Sequence, residues 1–147
     1  MPVLAESPAI NEQRTVIEIP DEYVVEGIYH DPRSGGLGTR KLLELPDRPT
    51  AIMYSDDIQF LGGRTELTRH GLSIPDDMSV VGYDGIKLAT MLRPQLTTYK
   101  QDAKEIGRRS MAKLIDEIEN SKTSEIESIK IEGSLLEGET VRDLNQK

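Results

Sequence analysis

Apolar positions in this chain fall into short β-rich runs separated by longer stretches of helical period. Thr50–Tyr54 and Ser79–Tyr83 are compact runs bounded by turn residues, the pattern of buried strands, and Leu96–Tyr99 repeats it as a strand or crossover. Between the first two, Ile58, Leu61, Thr65 and the pair Leu67–Thr68 recur at helical spacing and define an inward side. Asp56 or Ser55 suits the cap of that helix, Gly71 followed by Leu72 reads as its left-handed stop, and Pro75 prevents resumption. Ser34 reads as the start of an earlier helix carrying Leu37, Leu42, Leu43 and Leu45 as far as Pro46. The clearest helix is Asp102–Glu119. Asp102 and Glu105 suit a capping box there, and Ala103, Ile106, Ser110, Leu114 and Ile118 form one stripe. Leu88–Leu92 suits one or two helical turns, and Ile129–Leu136 a final strand. Strand–helix alternation of this kind predicts an α/β fold with a parallel sheet whose strands deliver carboxylates to one edge.

The flanks are less regular. Residues 1–20 read as a loose arm, within which Thr15–Ile19 fits either a short strand or a helix end. Tyr23–Val25 is β-rich and leads into a loop, Gly27–Gly36, that holds Tyr29, His30, Asp31 and Pro32. Asn120–Glu127 is polar and expected to be exposed. The folded unit is expected over 21–138, with a frayed tail at 139–147.

Composition narrows the function. At 147 residues the chain fits one domain of ordinary size, while 36% apolar content with one Phe and no Trp predicts a modest core. A net charge of −8 argues against direct DNA contact, which depends on Lys and Arg neutralising phosphates. With no cysteine, disulfides, thiolate zinc sites and Cys nucleophiles are excluded together. The first residues lack the basic start and apolar run of a signal peptide, so a cytoplasmic protein is expected. Ser34-Gly35-Gly36-Leu37-Gly38 lacks the G-K-[ST] ending of a phosphate loop. No cofactor is implied.

Polar residues at the strand ends are the candidates for chemistry. Asp84 follows Val80-Val81-Gly82-Tyr83 and should emerge at the same edge as Asp56. Two acceptors converging there would suit a polyol, whose hydroxyls need fixed partners in a partly dry cleft. Turn formation at Asp84-Gly85 and helix capping by Asp56 are the structural alternatives, and capping is favoured for Asp57. Gln101 stands beside a strand-to-helix crossover and can both donate and accept. Tyr29, in the preceding loop, offers an aromatic face for a sugar's apolar side. Beside it, His30 reads as solvent-facing, and His70 as a partner of its helix C-terminus.

Several of these pieces, in this order and spacing, resemble the effector-binding part of the lactose-repressor/galactose-repressor (LacI/GalR) family. They are S-G-x-x-x-x-x-x-L-L at Ser34–Leu43, P-T-A-I at Pro49–Ile52 and S-D-D at Ser55–Asp57. G-L-x-I-P-x-D-x-S-V-V-G-Y-D follows at Gly71–Asp84, R-P-x-L-T-T-x-x-Q at Arg93–Gln101, and E-x-G-R-R at Glu105–Arg109. The resemblance implies a three-layer α/β sandwich with a mainly parallel sheet, one lobe of a periplasmic-binding-protein-like type I fold. It also implies a small-molecule effector (a sugar, sugar derivative or nucleoside) contacted by Asp84, Asp56, Gln101 and Tyr29. Dimerisation through the helix matching Asp56–His70 and the segment near Lys87–Arg93 is implied as well.

The resemblance leaves out a DNA-binding head, a hinge helix and nearly all of a first lobe, against which the helix 102–119 would pack. A truncated, non-enzymatic sensor of a transcriptional regulator is therefore the main expectation. The chain would act as a homodimer or by pairing with a regulator chain. Two other classes compete with it: a stand-alone interaction module that modulates an intact regulator, and a Mg²⁺-dependent phosphotransfer site built from Asp56, Asp57 and Asp84 with Lys100 nearby.

Overall fold

The computed structural model describes residues 19–120 and 128–145. The expected arm up to Glu18 and most of the polar stretch after Asn120 lie outside those residues. Among the described residues the fold has three α-helices and four strands: α1 (Pro32–Leu43), β1 (Ala51–Met53), α2 (Asp57–Arg69), β2 (Ser79–Asp84), β3 (Thr97–Lys100), α3 (Ala103–Asn120) and β4 (Ser134–Leu136). The sheet runs β1-β2-β3-β4, parallel except for β4, which is antiparallel to β3. The expected α/β architecture with a mainly parallel sheet is present.

Local chemistry explains where the helices begin and end. α1 starts two residues before Ser34, because the Asp31 side chain accepts from the Arg33 N–H at 2.9 Å and Pro32 occupies the first helical turn. Ser34 instead accepts a hydrogen bond from the Ile28 N–H at 2.7 Å, tying the preceding loop to the helix. α2 is capped by Asp56 rather than Ser55. Its end is a Schellman turn: Gly71 has φ +69°, Leu72 N–H reaches the Leu67 carbonyl, and Gly71 N–H reaches that of Thr68.

α1 and α2 meet through glycine. A Cβ on Gly35 would collide with the Gln59 carbonyl, and one on Gly62 with that of Pro32. This closeness lets Arg40 grip the buried Glu66 with two hydrogen bonds of 2.8 and 3.3 Å. The inward face of α2 is accordingly Phe60, Gly63, Glu66 and Leu67, while Thr65 and Thr68 are exposed. That corrects the expected face. A buried glutamate inside a helix looks outward-facing in sequence, and its arginine partner lies 26 residues away. The core combines Leu42 of α1, Phe60 and Leu67 of α2, Ile52 and Val80 of the sheet, and Tyr54, Met78, Ala89 and Leu96 from the connections.

Three further expectations are corrected. Tyr23–Val25, β-rich in sequence, forms no strand; Asp21–Tyr23 is a 3₁₀ turn, and Val24 is extended without a ladder. The last strand is Ser134–Leu136 only, because its ladder is limited to Thr98–Lys100 of β3. The tail from Glu139 is not frayed at its start. Thr140 is fully buried, and its hydroxyl donates to the Val80 carbonyl at 2.7 Å while accepting from Thr97 N–H at 2.9 Å. Its carbonyl takes the Val80 N–H at 2.7 Å. Polar tail residues look dispensable in sequence, but here one of them stitches β2 to β3 where the ladder stops.

α3 stands apart from the core. Asp102 caps it through Glu105 N–H at 3.0 Å. The Glu105 carboxylate turns forward to Arg108 and Arg109 instead of back to the cap, so only half of the expected box forms. No helix among the described residues is long and apolar enough to cross a membrane.

Candidate ligand-binding site

Parallel strands β1, β2 and β3 point their C-terminal ends to one edge, where a doubly connected sheet offers its crevice. At the end of β2, Asp84 holds φ +101°, a region that non-glycine residues rarely occupy. Both of its carboxylate oxygens are engaged: Oδ2 accepts from the Tyr29 hydroxyl at 2.9 Å, and Oδ1 from the Gln101 side-chain amide at 2.6 Å. Gln101 N–H also donates to the Asp84 carbonyl at 3.3 Å. Three residues from separate parts of the chain therefore form one polar cluster. Its phenol is a firm donor. The hydrogen bond to Asp84, aided by burial and by the carboxylate's charge, pushes the Tyr29 pKa up to about 12.

Asp56 does not join that cluster. Its carboxylate is 0% exposed and accepts from Gln59 N–H at 2.7 Å and from His30 N–H at 2.9 Å. Burial alone would raise its pKa; the hydrogen bonds from His30 and Gln59 outweigh that and leave it below the ordinary value. The structure thus corrects the expectation of a direct acceptor at position 56, because the oxygens face backbone N–H groups rather than solvent. Asp56 instead pins the loop. His30, at φ +60°, stacks on the Tyr29 ring at 4.2 Å between centroids, so the carboxylate holds the residue that supports the site's aromatic face. The His30 side chain is exposed, as expected, while its backbone N–H is tied to Asp56.

Gln59 and Ser34 complete the clamp. The Gln59 amide donates to the Ile28 carbonyl at 2.8 Å, and the Ser34 hydroxyl takes the Ile28 N–H. Neither residue was a candidate, and no sequence signal marks them, since a helix-surface Gln and a Ser near a helix start are commonplace. Asp57 is wholly structural: it accepts from the Thr98 hydroxyl at 2.7 Å and Ile86 N–H at 2.9 Å. Burial raises its pKa, only partly offset by those bonds. The His70 ring nitrogen lies 3.0 Å from the Glu66 carbonyl, at the end of α2.

Beside Gln101 a hollow opens between Lys100–Asp102 and Glu132–Ser134. A second hollow, under the extended chain at Val25–Gly27 and lined by Leu42 and Tyr54, is separate from the Asp84 cluster. Among the described residues no group of three or more His, Cys, Asp or Glu side chains is placed to hold a metal ion.

An acceptor, an amide and an aromatic donor are thus gathered at the C-terminal edge of a parallel sheet, the place where open α/β sheets offer a ligand crevice. Residues 12–141 match the periplasmic binding protein-like domain family, and the chain belongs to that family, in the form found in LacI/GalR-type effector-binding domains. It is 33% identical over 131 residues to the HTH-type transcriptional repressor PurR of Escherichia coli O139:H28, a match covering 89% of this chain and 38% of the repressor. A LacI transcriptional regulator from Bacillus cereus subsp. cytotoxis superposes with a TM-score of 0.79 at 30% identity, over 86% of this chain and 44% of that one. The cellobiose complex of the regulator CelR gives 0.77 at 28%, over 84% and 37%. A LacI-family regulator from Enterococcus faecium with bound ribose gives 0.68 at 28%, over 78% and 41%. This chain thus spans well under half the length of the regulators it matches.

Proposed function

We propose that this domain senses a sugar or a related polyhydroxylated metabolite at the C-terminal edge of its sheet and does not itself bind DNA. The observation that carries the reading is the Tyr29–Asp84–Gln101 cluster, held by a strained backbone at Asp84. Backbone strain of this kind collects at ligand clamps, where the surrounding structure over-determines it. In the proposed complex, Asp84 accepts from ligand hydroxyls, Gln101 donates and accepts beside it, and the Tyr29 ring covers an apolar sugar face. Asp56 acts indirectly by fixing His30 and so the Tyr29 loop. Ribose and cellobiose in two related regulators support this ligand class.

Sensing is non-catalytic in this scheme. A ligand that bridges this lobe to another shifts a closure equilibrium by its differential affinity for the two states. The net charge of −8 supports a chain that leaves operator contact to another domain or partner. The reading also takes the domain to be cytoplasmic and to work as a homodimer or alongside a regulator chain. A phosphotransfer site is disfavoured because the Asp56 and Asp57 carboxylates are buried on backbone N–H groups and Thr98.

The test is a thermal melt of the whole chain against sugars, sugar acids, sugar phosphates and nucleosides. One class should raise a cooperative transition, and Asp84→Ala should abolish that shift without lowering the unliganded transition below the range where it can be read. A cooperative melt that no member of the panel moves would refute the reading.

A further inference from the structure

The acceptor at the sheet edge is satisfied by the protein's own groups, and its two partners are held very differently. Gln101 is tied to Asp84 twice, through its side-chain amide at 2.6 Å and its backbone N–H at 3.3 Å. Tyr29 is tied to it by the phenol alone, at 2.9 Å, and is 57% exposed. The backbone on either side of Tyr29 is fixed. Ile28 is clamped through its N–H by Ser34 and through its carbonyl by Gln59, and the His30 N–H is clamped by Asp56. Side-chain rotation of Tyr29 on a stationary turn is therefore the motion that breaks fewest bonds. The His30 ring, stacked on the phenol within 14° of parallel, supports it in the position that meets Asp84.

We propose that Tyr29 is a latch: its hydroxyl occupies Asp84 as an internal competitor until a ligand hydroxyl replaces it and frees the ring to lie against the ligand. The inference rests on the ligand-sensing role of this edge proposed above. The exchange gives up one O–H bond to a carboxylate and forms another, so the swap by itself adds little affinity. The net gain has to come from further contacts, the released aromatic ring among them. The latch also selects by chemistry. A group must bring a proton to Asp84 to displace the phenol; a ligand carboxylate or ether oxygen at the same point has none to offer and leaves the latch shut. Gln101, anchored twice, stays in place and keeps the other carboxylate oxygen oriented.

The first arm of the test uses the full chain alone, its tyrosines ¹³C-labelled at Cζ and the Tyr29 signal assigned by its loss in Tyr29→Phe. At about pH 10.5, above the ordinary tyrosine value, the Tyr29 phenol should stay protonated in the wild-type chain and ionise in Asp84→Asn. Asparagine tolerates the positive φ at that position. Equal ionisation in the two chains would show that Asp84 does not hold the phenol and would overturn the latch. The second arm titrates both Tyr29→Phe and the wild-type chain with D-ribose, cellobiose, gluconate, ribose phosphate and adenosine. A hydrogen bond to a charged acceptor biases an equilibrium by about 10-fold or more, and the closed fraction weakens apparent affinity in proportion. Tyr29→Phe keeps the ring and loses the latch, so it should bind at least one probe about 10-fold more tightly than the wild-type chain. That probe, at saturation, should move the wild-type Tyr29 signal toward its position in Asp84→Asn. Unchanged or weaker binding in Tyr29→Phe would overturn the latch and leave the site standing, with the phenol a plain ligand contact. Probes that bind neither chain would overturn the site reading and the latch with it.

Discussion

Replacing Asp56 with alanine tests whether one carboxylate serves both the helix and the loop that carries Tyr29. Two interactions are lost together. The cap on α2, a 2.7 Å bond from Gln59 N–H, is worth about 1 kcal/mol in comparable helices. The 2.9 Å bond from His30 N–H goes to a charged acceptor, a class worth about 1.5–3 kcal/mol. Asp56→Ala should therefore cost about 3 kcal/mol, a large share of a small domain's stability. With an m-value of about 1.5 kcal/mol/M, the urea midpoint falls by about 2 M. Asp56→Ser separates the two terms, because serine caps nearly as well as aspartate but cannot also reach His30. It should lose the loop contribution alone and leave the amide of His30 exchanging quickly with solvent. Equal losses in the two variants, or a loss under about 0.5 kcal/mol in Asp56→Ala, would show that the carboxylate does not bridge helix and loop.

The glycine contact between α1 and α2 makes Gly62→Ala destabilising despite alanine's better helix propensity, by about 1–3 kcal/mol or roughly 5–15 °C in Tm. Gly107→Ala in α3 meets no neighbour and should stabilise by up to about 1 kcal/mol in the same melt. Acid should unfold the chain through Asp56 and Glu66, whose carboxyls lie below their ordinary values of 3.8 and 4.5 in the folded state. Their contribution is complete above that range and disappears as the pH drops through the lowered folded values. Urea midpoints measured from pH 6 towards pH 3 should show a steep fall below about 4.5 that Glu66→Gln flattens. An unchanged slope in that variant would remove Glu66 from the account.

Strand ends and helix stops were the legible parts of this chain because each is encoded within a few residues. Gly71–Leu72 specifies its own turn, Asp56 its own cap, and Val80–Val81 its own burial. The emergence of Asp84 at the sheet edge was legible from the buried strand before it, but its expected companion there was Asp56; it is Gln101 that meets Asp84, because β3 pairs beside β2. What the sequence hid depends on partners far away along the chain. Glu66 looks solvent-facing until Arg40 is brought across from α1, and Asp56 looks available until His30 folds onto it. Tyr23–Val25 has strand-like side chains but finds no ladder partner among the described residues. The start of α1 was misplaced by two residues because Ser34 competes as a cap; Asp31 with Pro32 wins since proline fits the first turn without losing a bond.

The Thr140 stitch has a consequence for how the protein is made. Val80 must wait for a residue 60 positions further along before its N–H and carbonyl acquire their partners. At about 5–20 residues per second, synthesis leaves that interval open for roughly 3–12 s. From Lys100 onward β1, β2 and β3 exist as chain while Val80 remains unsealed, so the nascent sheet keeps an unpaired backbone N–H and carbonyl until Thr140 arrives. Final closure is thus deferred until the closing residues emerge. A stall or a nick between Lys100 and Thr140 would yield a chain with every strand of the parallel sheet in hand and no means of sealing it.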